Sequence, residues 1–156
     1  MSTKLRQLTF KQLNWGGKRR GAGRKPKNGR AGVSHDKRPE LNRNHPLLVT
    51  VKVLPVVGKL RNQLVLALFR RLVERMNAKD VVQVIEFSIQ HDHVHMVVEA
   101  EGKAELSSAM NGLASSFARG INKLWKRRGD VFLDRYHSMA IDTPSAMRSV
   151  LRYVLP

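Results

Sequence analysis

The stretch VVQVIEFSIQHDHVHMVVEA, Val81 to Ala100, decides how this chain folds. Val81, Ile85, Phe87 and Ile89 fall in phase before a short polar turn, Gln90–Asp92, and Val94, Met96 and Val98 fall in phase after it. Period-two alternation on both sides of such a turn predicts a β-hairpin. In its second strand His93, His95, Val97 and Glu99 share the face opposite the apolar one. Imidazoles two residues apart on one side of a pleat sit roughly 6.5–7 Å apart along the strand, close enough to converge on one divalent ion. Surface or hydrogen-bonded histidines give the same pattern. Two ligands are too few for a closed structural site, but they suit a catalytic ion with positions open to substrate oxygens. His91 has the same parity but falls in the turn and is read as a bystander, and His35 and His45 are read as solvated.

Working outward, LLVTVKV (47–53) alternates with Leu47, Val49, Val51 and Val53 inward and predicts a strand. A helix is expected from about Leu60 to Met76, with Val65, Leu68, Phe69, Leu72, Val73 and Met76 on one stripe and Arg61, Arg70, Arg71 and Arg75 off it. A longer helix is expected from Ala104 to Trp125, carrying Leu106, Met110, Leu113, Ala114, Phe117, Ile121, Leu124 and Trp125 inward. VFLDRYHSMAI (131–141) reads as a fourth strand. Thr143-Pro144 then supplies an N-cap and a first-turn proline for a last helix with Met147, Val150, Leu151 and Val154 inward. The order β-α-β-β-α-β plus a terminal helix predicts an α+β, ferredoxin-like fold: a split β-α-β antiparallel sheet with helices on one face.

Charge limits the partners. The 156 residues carry 29 Lys and Arg against 12 acids, a net +17, which points to a polyanion such as nucleic acid. Residues 1–45 hold 13 of those bases and two acids, with most of the glycines and no apolar periodicity. They read as a basic, largely disordered DNA-binding arm ahead of a folded domain at 46–156. There is no cysteine, so disulfides and thiolate metal sites are excluded. No apolar run is long enough to span a bilayer and no signal-peptide core opens the chain, so the expected compartment is the cytoplasm, in association with the nucleoid, and no membrane partner is expected.

Two tyrosines are present, Tyr136 and Tyr153. Tyr153 lies about 110° from the middle of the last helix's apolar stripe, on a flank from which it can reach the open sheet face. Arg152 beside it suits a phosphate neighbourhood. QHDHVHMVVEA resembles the His-hydrophobic-His (HUH) motif. LRYVLP resembles the tyrosine segment of single-tyrosine HUH transposases. RRGDVFLDRYHSMAIDTPSAMRSVLRYV resembles the strand that leads into that segment in REP-associated tyrosine transposases and the wider insertion-sequence-200-like group. The resemblance covers about residues 46–156.

It implies a DNA strand transferase that cleaves and rejoins single-stranded or hairpin DNA, with REP-like palindromes as the substrate class. Tyr153 would be the nucleophile and form a 5′-phosphotyrosine. His93 and His95 would hold Mg²⁺ or Mn²⁺. A phenol titrating at about 10 is a poor nucleophile at neutral pH, so metal and arginine charge are the available means of activating it. Tyr136 is the rival, though its parity with Phe132 favours packing or DNA contact. The family's third ligand falls four residues after the tyrosine, at a position 157 that lies past Pro156. A truncated chain, a water, or Asp92 or Glu99 would account for this departure, and activity turns on it. The resemblance leaves homodimer and monomer both open.

In the arm, GGKRRGAGRKPKNGR (16–30) resembles a minor-groove segment. Arg19, Arg20, Arg24, Lys25 and Lys27 are its candidate DNA contacts, against the plainer reading of a non-specific polybasic tail. Arg119, Lys123, Lys126, Arg127 and Arg128 at the end of the long helix, together with Arg135 and Arg152, are candidate phosphate contacts. The readings to separate are a metal-dependent tyrosine transposase, a catalytically inert DNA-binding protein of transposase descent, and an unrelated basic RNA- or ribosome-binding protein. For the last, only Phe132 and Tyr136 are placed to stack bases.

Overall fold

The computed structural model describes residues 40–154. The arm residues Arg19, Arg20, Arg24, Lys25 and Lys27 lie outside them. Strand β1 (Leu47–Lys52) leads through a 3₁₀ turn (Pro55–Val57) to helix α1 (Gln63–Asn77). The hairpin follows as β2 (Val82–Ile89) and β3 (His93–Ala100), then α2 (Lys103–Leu124), β4 (His137–Ala140) and α3 (Pro144–Val154). The sheet order is β2-β3-β1-β4, and every neighbouring pair is antiparallel. This is the expected split β-α-β arrangement.

The main core lies between the sheet and α1 and α2. Val49, Met96 and Val98 from the strands meet Val65 and Phe69 of α1 and Leu106, Met110, Phe117 and Ile121 of α2. Phe69 and Phe117 cross edge to face at 5.3 Å, a favoured aromatic geometry. Gly120 lets the helices approach: a Cβ there would meet Leu68 Cδ2 at 2.5 Å. Helix α1 starts three residues later than periodicity suggests, because Asn62 caps it by accepting from the Leu64 N–H at 2.8 Å. Within the segment read as arm, Leu41 packs against the core and Glu40 pairs with Lys103 at 3.1 Å.

Three expectations need correction. Val81 and Ile85 are exposed, whereas Val82 and Val84 are buried. The register shifts between Val84 and Glu86, so a β-bulge at Ile85 brings two apolar phases onto one face. Asn77 fixes that bulge: its side chain accepts from the Val84 N–H at 2.9 Å and donates to the Val84 carbonyl at 3.0 Å. Leu124 is exposed rather than inward. The fourth strand is shorter than 131–141, consisting of His137–Ala140 preceded by a single bridge from Phe132 to Val53, and Tyr136 is buried just ahead of it.

Helix α3 covers the other face of the sheet, but only half of it. Val150 and Val154 pack with Val97 and Ile141, flanked by Leu48, Ala146 and Met147. An isolated eleven-residue helix is marginal in water, so this small second core is what holds it. Thr143 caps it, accepting from the Ala146 N–H at 3.1 Å. The histidines lie on that same face beside the helix, His95 buried against Tyr153 and His93 partly exposed.

Candidate active site

Cross-strand register builds the site. His93 lies opposite Lys52 and His95 opposite Thr50, all four on the face away from α1 and α2. The turn before His93 is fastened to the β1–α1 connection, with the Val53 N–H donating to the Asp92 carbonyl at 2.8 Å and the Leu60 N–H to the His91 carbonyl at 2.9 Å. His91 is exposed.

Each imidazole is held through Nδ1. His93 Nδ1 lies 2.7 Å from Asp92 Oδ1, and the other carboxylate oxygen of Asp92 meets Lys52 Nζ at 3.1 Å. His95 Nδ1 lies 2.9 Å from Thr50 Oγ1. When Nδ1–H donates to these oxygens, the lone pair of each ring is placed on Nε2. His95 is buried, and its Nε2 is a buried atom without a hydrogen-bond partner. Buried polar groups rarely go unpaired, and this one lies beside the His93 ring on the same face. The rings of His93 and His95 are 4.5 Å apart, centroid to centroid.

Tyr153 completes the group. Its ring centroid is 4.8 Å from that of His95, tilted at 63°, although the residue itself is 60% exposed. The same side chain therefore packs on a site histidine and faces solvent. Helix α3 makes this possible: Val150 and Val154 face the sheet and leave Tyr153 on the flank.

Burial pushes the His95 pKa below its ordinary value, and the neighbouring His93 ring disfavours a second charge in the same place. Its neutral, ligand-competent form is thereby favoured at neutral pH. The hydrogen bond from His93, then that from Lys52, holds the Asp92 carboxyl below the usual carboxylate range. Asp92 is engaged in orienting His93. Glu99 is exposed, two pleats further along β3 on the same face. Among the described residues no three His, Cys, Asp or Glu side chains gather into one group.

The basic candidates divide. Helix α2 starts beyond Ala100 and runs back along the sheet, bringing its last turn to the His93 end. Arg119, Lys123, Lys126 and Arg128 are exposed there. Arg127 turns inward and donates to the Asp130 carbonyl at 2.9 Å. Arg135 is half-buried, and Arg152 is exposed beside Tyr153. Sequence reasoning missed Thr50 and Lys52. The alternation of β1 puts both on the outer face, but only the register shows which histidine each one meets.

No helix among the described residues is long and apolar enough to cross a membrane. No curated protein matches the chain. Among solved structures, a REP-associated tyrosine transposase bound to a REP hairpin is similar in fold: TM-score 0.55, 15% identity, covering 78% of this chain and 70% of that one. A candidate transposase from Deinococcus radiodurans aligns with TM-score 0.47 and 11% identity over 80% of this chain and 94% of its own. The family described as Transposase IS200 like matches residues 56–155, well over half of the sequence. With an HUH strand and a tyrosine helix folded onto each other inside that span, the chain belongs to the IS200-like transposase family.

Proposed function

We propose that this protein cleaves and rejoins single-stranded or hairpin DNA through a 5′-phosphotyrosine on Tyr153. The observation that carries this reading is the approach of the Tyr153 ring to His95, whose buried Nε2 has no partner. The orphaned nitrogen and the two Nδ1-anchored rings fit a divalent ion, Mg²⁺ or Mn²⁺, bound by His93 and His95 Nε2. When bound, such an ion withdraws charge from a non-bridging phosphate oxygen and makes the phosphorus easier to attack.

The chain's own residues do the rest. Tyr153 Oη attacks phosphorus, the bond from phosphorus to the 3′ oxygen breaks, and a free 3′-OH is left. The phenol proton passes to solvent, to which Tyr153 is open. In the reverse step a 3′-OH attacks the phosphotyrosine and the phenol is released, so the bond energy is conserved without a nucleotide cofactor. Thr50 and Asp92 fix the two imidazole orientations. Arg152 supplies positive charge next to the nucleophile.

The test is to incubate the protein with hairpin DNA and Mn²⁺ and run the products on a denaturing gel. A slow-migrating protein–DNA species is expected with the native sequence and absent in Tyr153→Phe. If Tyr136→Phe abolished it while Tyr153→Phe did not, the nucleophile would be misassigned. No adduct on any single-stranded or hairpin substrate would leave the inert DNA-binding reading.

A further inference from the structure

The open half of the histidine face extends past the site toward β4. His137 lies opposite Thr50, and Thr50 lies opposite His95, so the three form one row across the sheet. Beside that row the Leu133 N–H donates to the Lys52 carbonyl at 2.9 Å, next to the bridge between Phe132 and Val53. Phe132 packs on the main core, so Leu133 emerges on the opposite, histidine side, 43% exposed. His137 is exposed too. Lys52, already tied to Asp92, lies between Leu133 and His93. The result is a shelf continuous with the site, with an apolar side chain and two nitrogen-bearing ones; Asp92 is paired with Lys52, and Asp134, next to Leu133, accepts from the Arg135 N–H at 2.8 Å.

The opposite direction differs. On β2 this face carries Ser88 opposite His95 and then Glu86 opposite Val97, and the far end of β3 carries Glu99; the two carboxylates repel phosphate. Helix α3 blocks the end at Leu48 and Val97. A nucleic-acid strand leaving the Tyr153–His95 pair therefore meets Ser88 and then Glu86 toward β2, a helix at one end, and toward β4 a shelf that presents Leu133, His137 and Lys52.

We propose that this shelf seats the nucleotide adjoining the scissile phosphate, as single-stranded DNA, with its base or sugar against Leu133 and its phosphate within reach of His137. The inference rests on the strand-transfer reading above. It adds a direction for the strand and two residues that the resemblance does not assign. Single strands are held without sequence readout by base packing on side chains along a positively charged groove; here Leu133 offers an apolar packing surface and Lys52 the charge.

The experiment uses the Tyr153→Phe protein, so that binding is measured without cleavage. Probes are a fluorescent hairpin with a randomised single-stranded flank and the same hairpin made blunt. Leu133→Ala and His137→Ala are each expected to weaken binding of the flanked hairpin about fivefold to tenfold and to leave the blunt one unchanged. His137→Gln, which keeps a hydrogen-bond donor, should restore most of the loss. Equal losses on both probes, or none on either, would overturn the proposal. A flank-specific loss in a protein whose native form yields no Tyr153 adduct would keep the shelf and sink the chemistry, so the two failures are separable. Circular dichroism confirms folding, and the exposure of both residues makes these mild substitutions.

Discussion

At the residue scale, the site depends on which nitrogen each imidazole presents. Asp92 accepts from His93 Nδ1–H and Thr50 bonds His95 Nδ1, so both leave Nε2 as the nitrogen that faces away from the anchoring oxygen. Thr50→Val keeps the shape and removes the oxygen, so it should weaken Mn²⁺ binding about tenfold or more, read from the free-Mn²⁺ resonance in a titration. An unchanged affinity would mean that His95 does not ligate through Nε2. The pH response follows from burial. His95 is held below its ordinary value of 6.5, so beneath that pH the unfolded chain binds the proton and the folded chain resists it. The unfolded state then carries more protons, and stability falls with falling pH. Urea midpoints of the metal-free protein should drop between about pH 7 and about pH 5.5, and drop less in His95→Gln. Parallel curves would show a histidine that charges freely in place.

At the element scale, helix α2 ends in a conformation its sequence resists. Lys126 takes φ 48 after the last turn, and the Arg127 N–H reaches back to the Asn122 carbonyl at 2.9 Å. That left-handed position normally belongs to glycine. A lysine there costs about 1 kcal/mol, partly offset by the greater unfolded freedom of glycine. Lys126→Gly should therefore raise stability by up to about 0.5 kcal/mol in a denaturant melt. If Lys126 contacts phosphate, the same change should also weaken DNA binding and flatten its salt dependence by about one unit. A gain in stability with no change in binding would assign Lys126 to solvent.

For the whole molecule, the net charge of +17 is divided between a folded body and a basic leading segment. Residues 1–39 hold twelve of the 29 Lys and Arg, and removing them leaves the Glu40–Lys103 pair and Leu41 in place. The truncated protein should bind single-stranded DNA more weakly, with a log–log salt slope shallower by several units, while adduct yield at saturating DNA changes little. An unaltered slope would remove these residues from the DNA footprint.

The sequence by itself determined the element order, the outward placement of His93 and His95, and the flank position of Tyr153. Each follows from a local period of two or 3.6 residues, which a chain carries wherever it is read. It did not determine the bulge at Ile85, because the residue that fixes it, Asn77, belongs to another element and acts through a side chain bonded to the Val84 backbone. Nor did it determine that Thr50 meets His95, or that Tyr153 packs on that same ring. Those are facts of register and docking between segments 45 and 58 positions apart. They are set by which apolar faces bury together, and no local pattern encodes them.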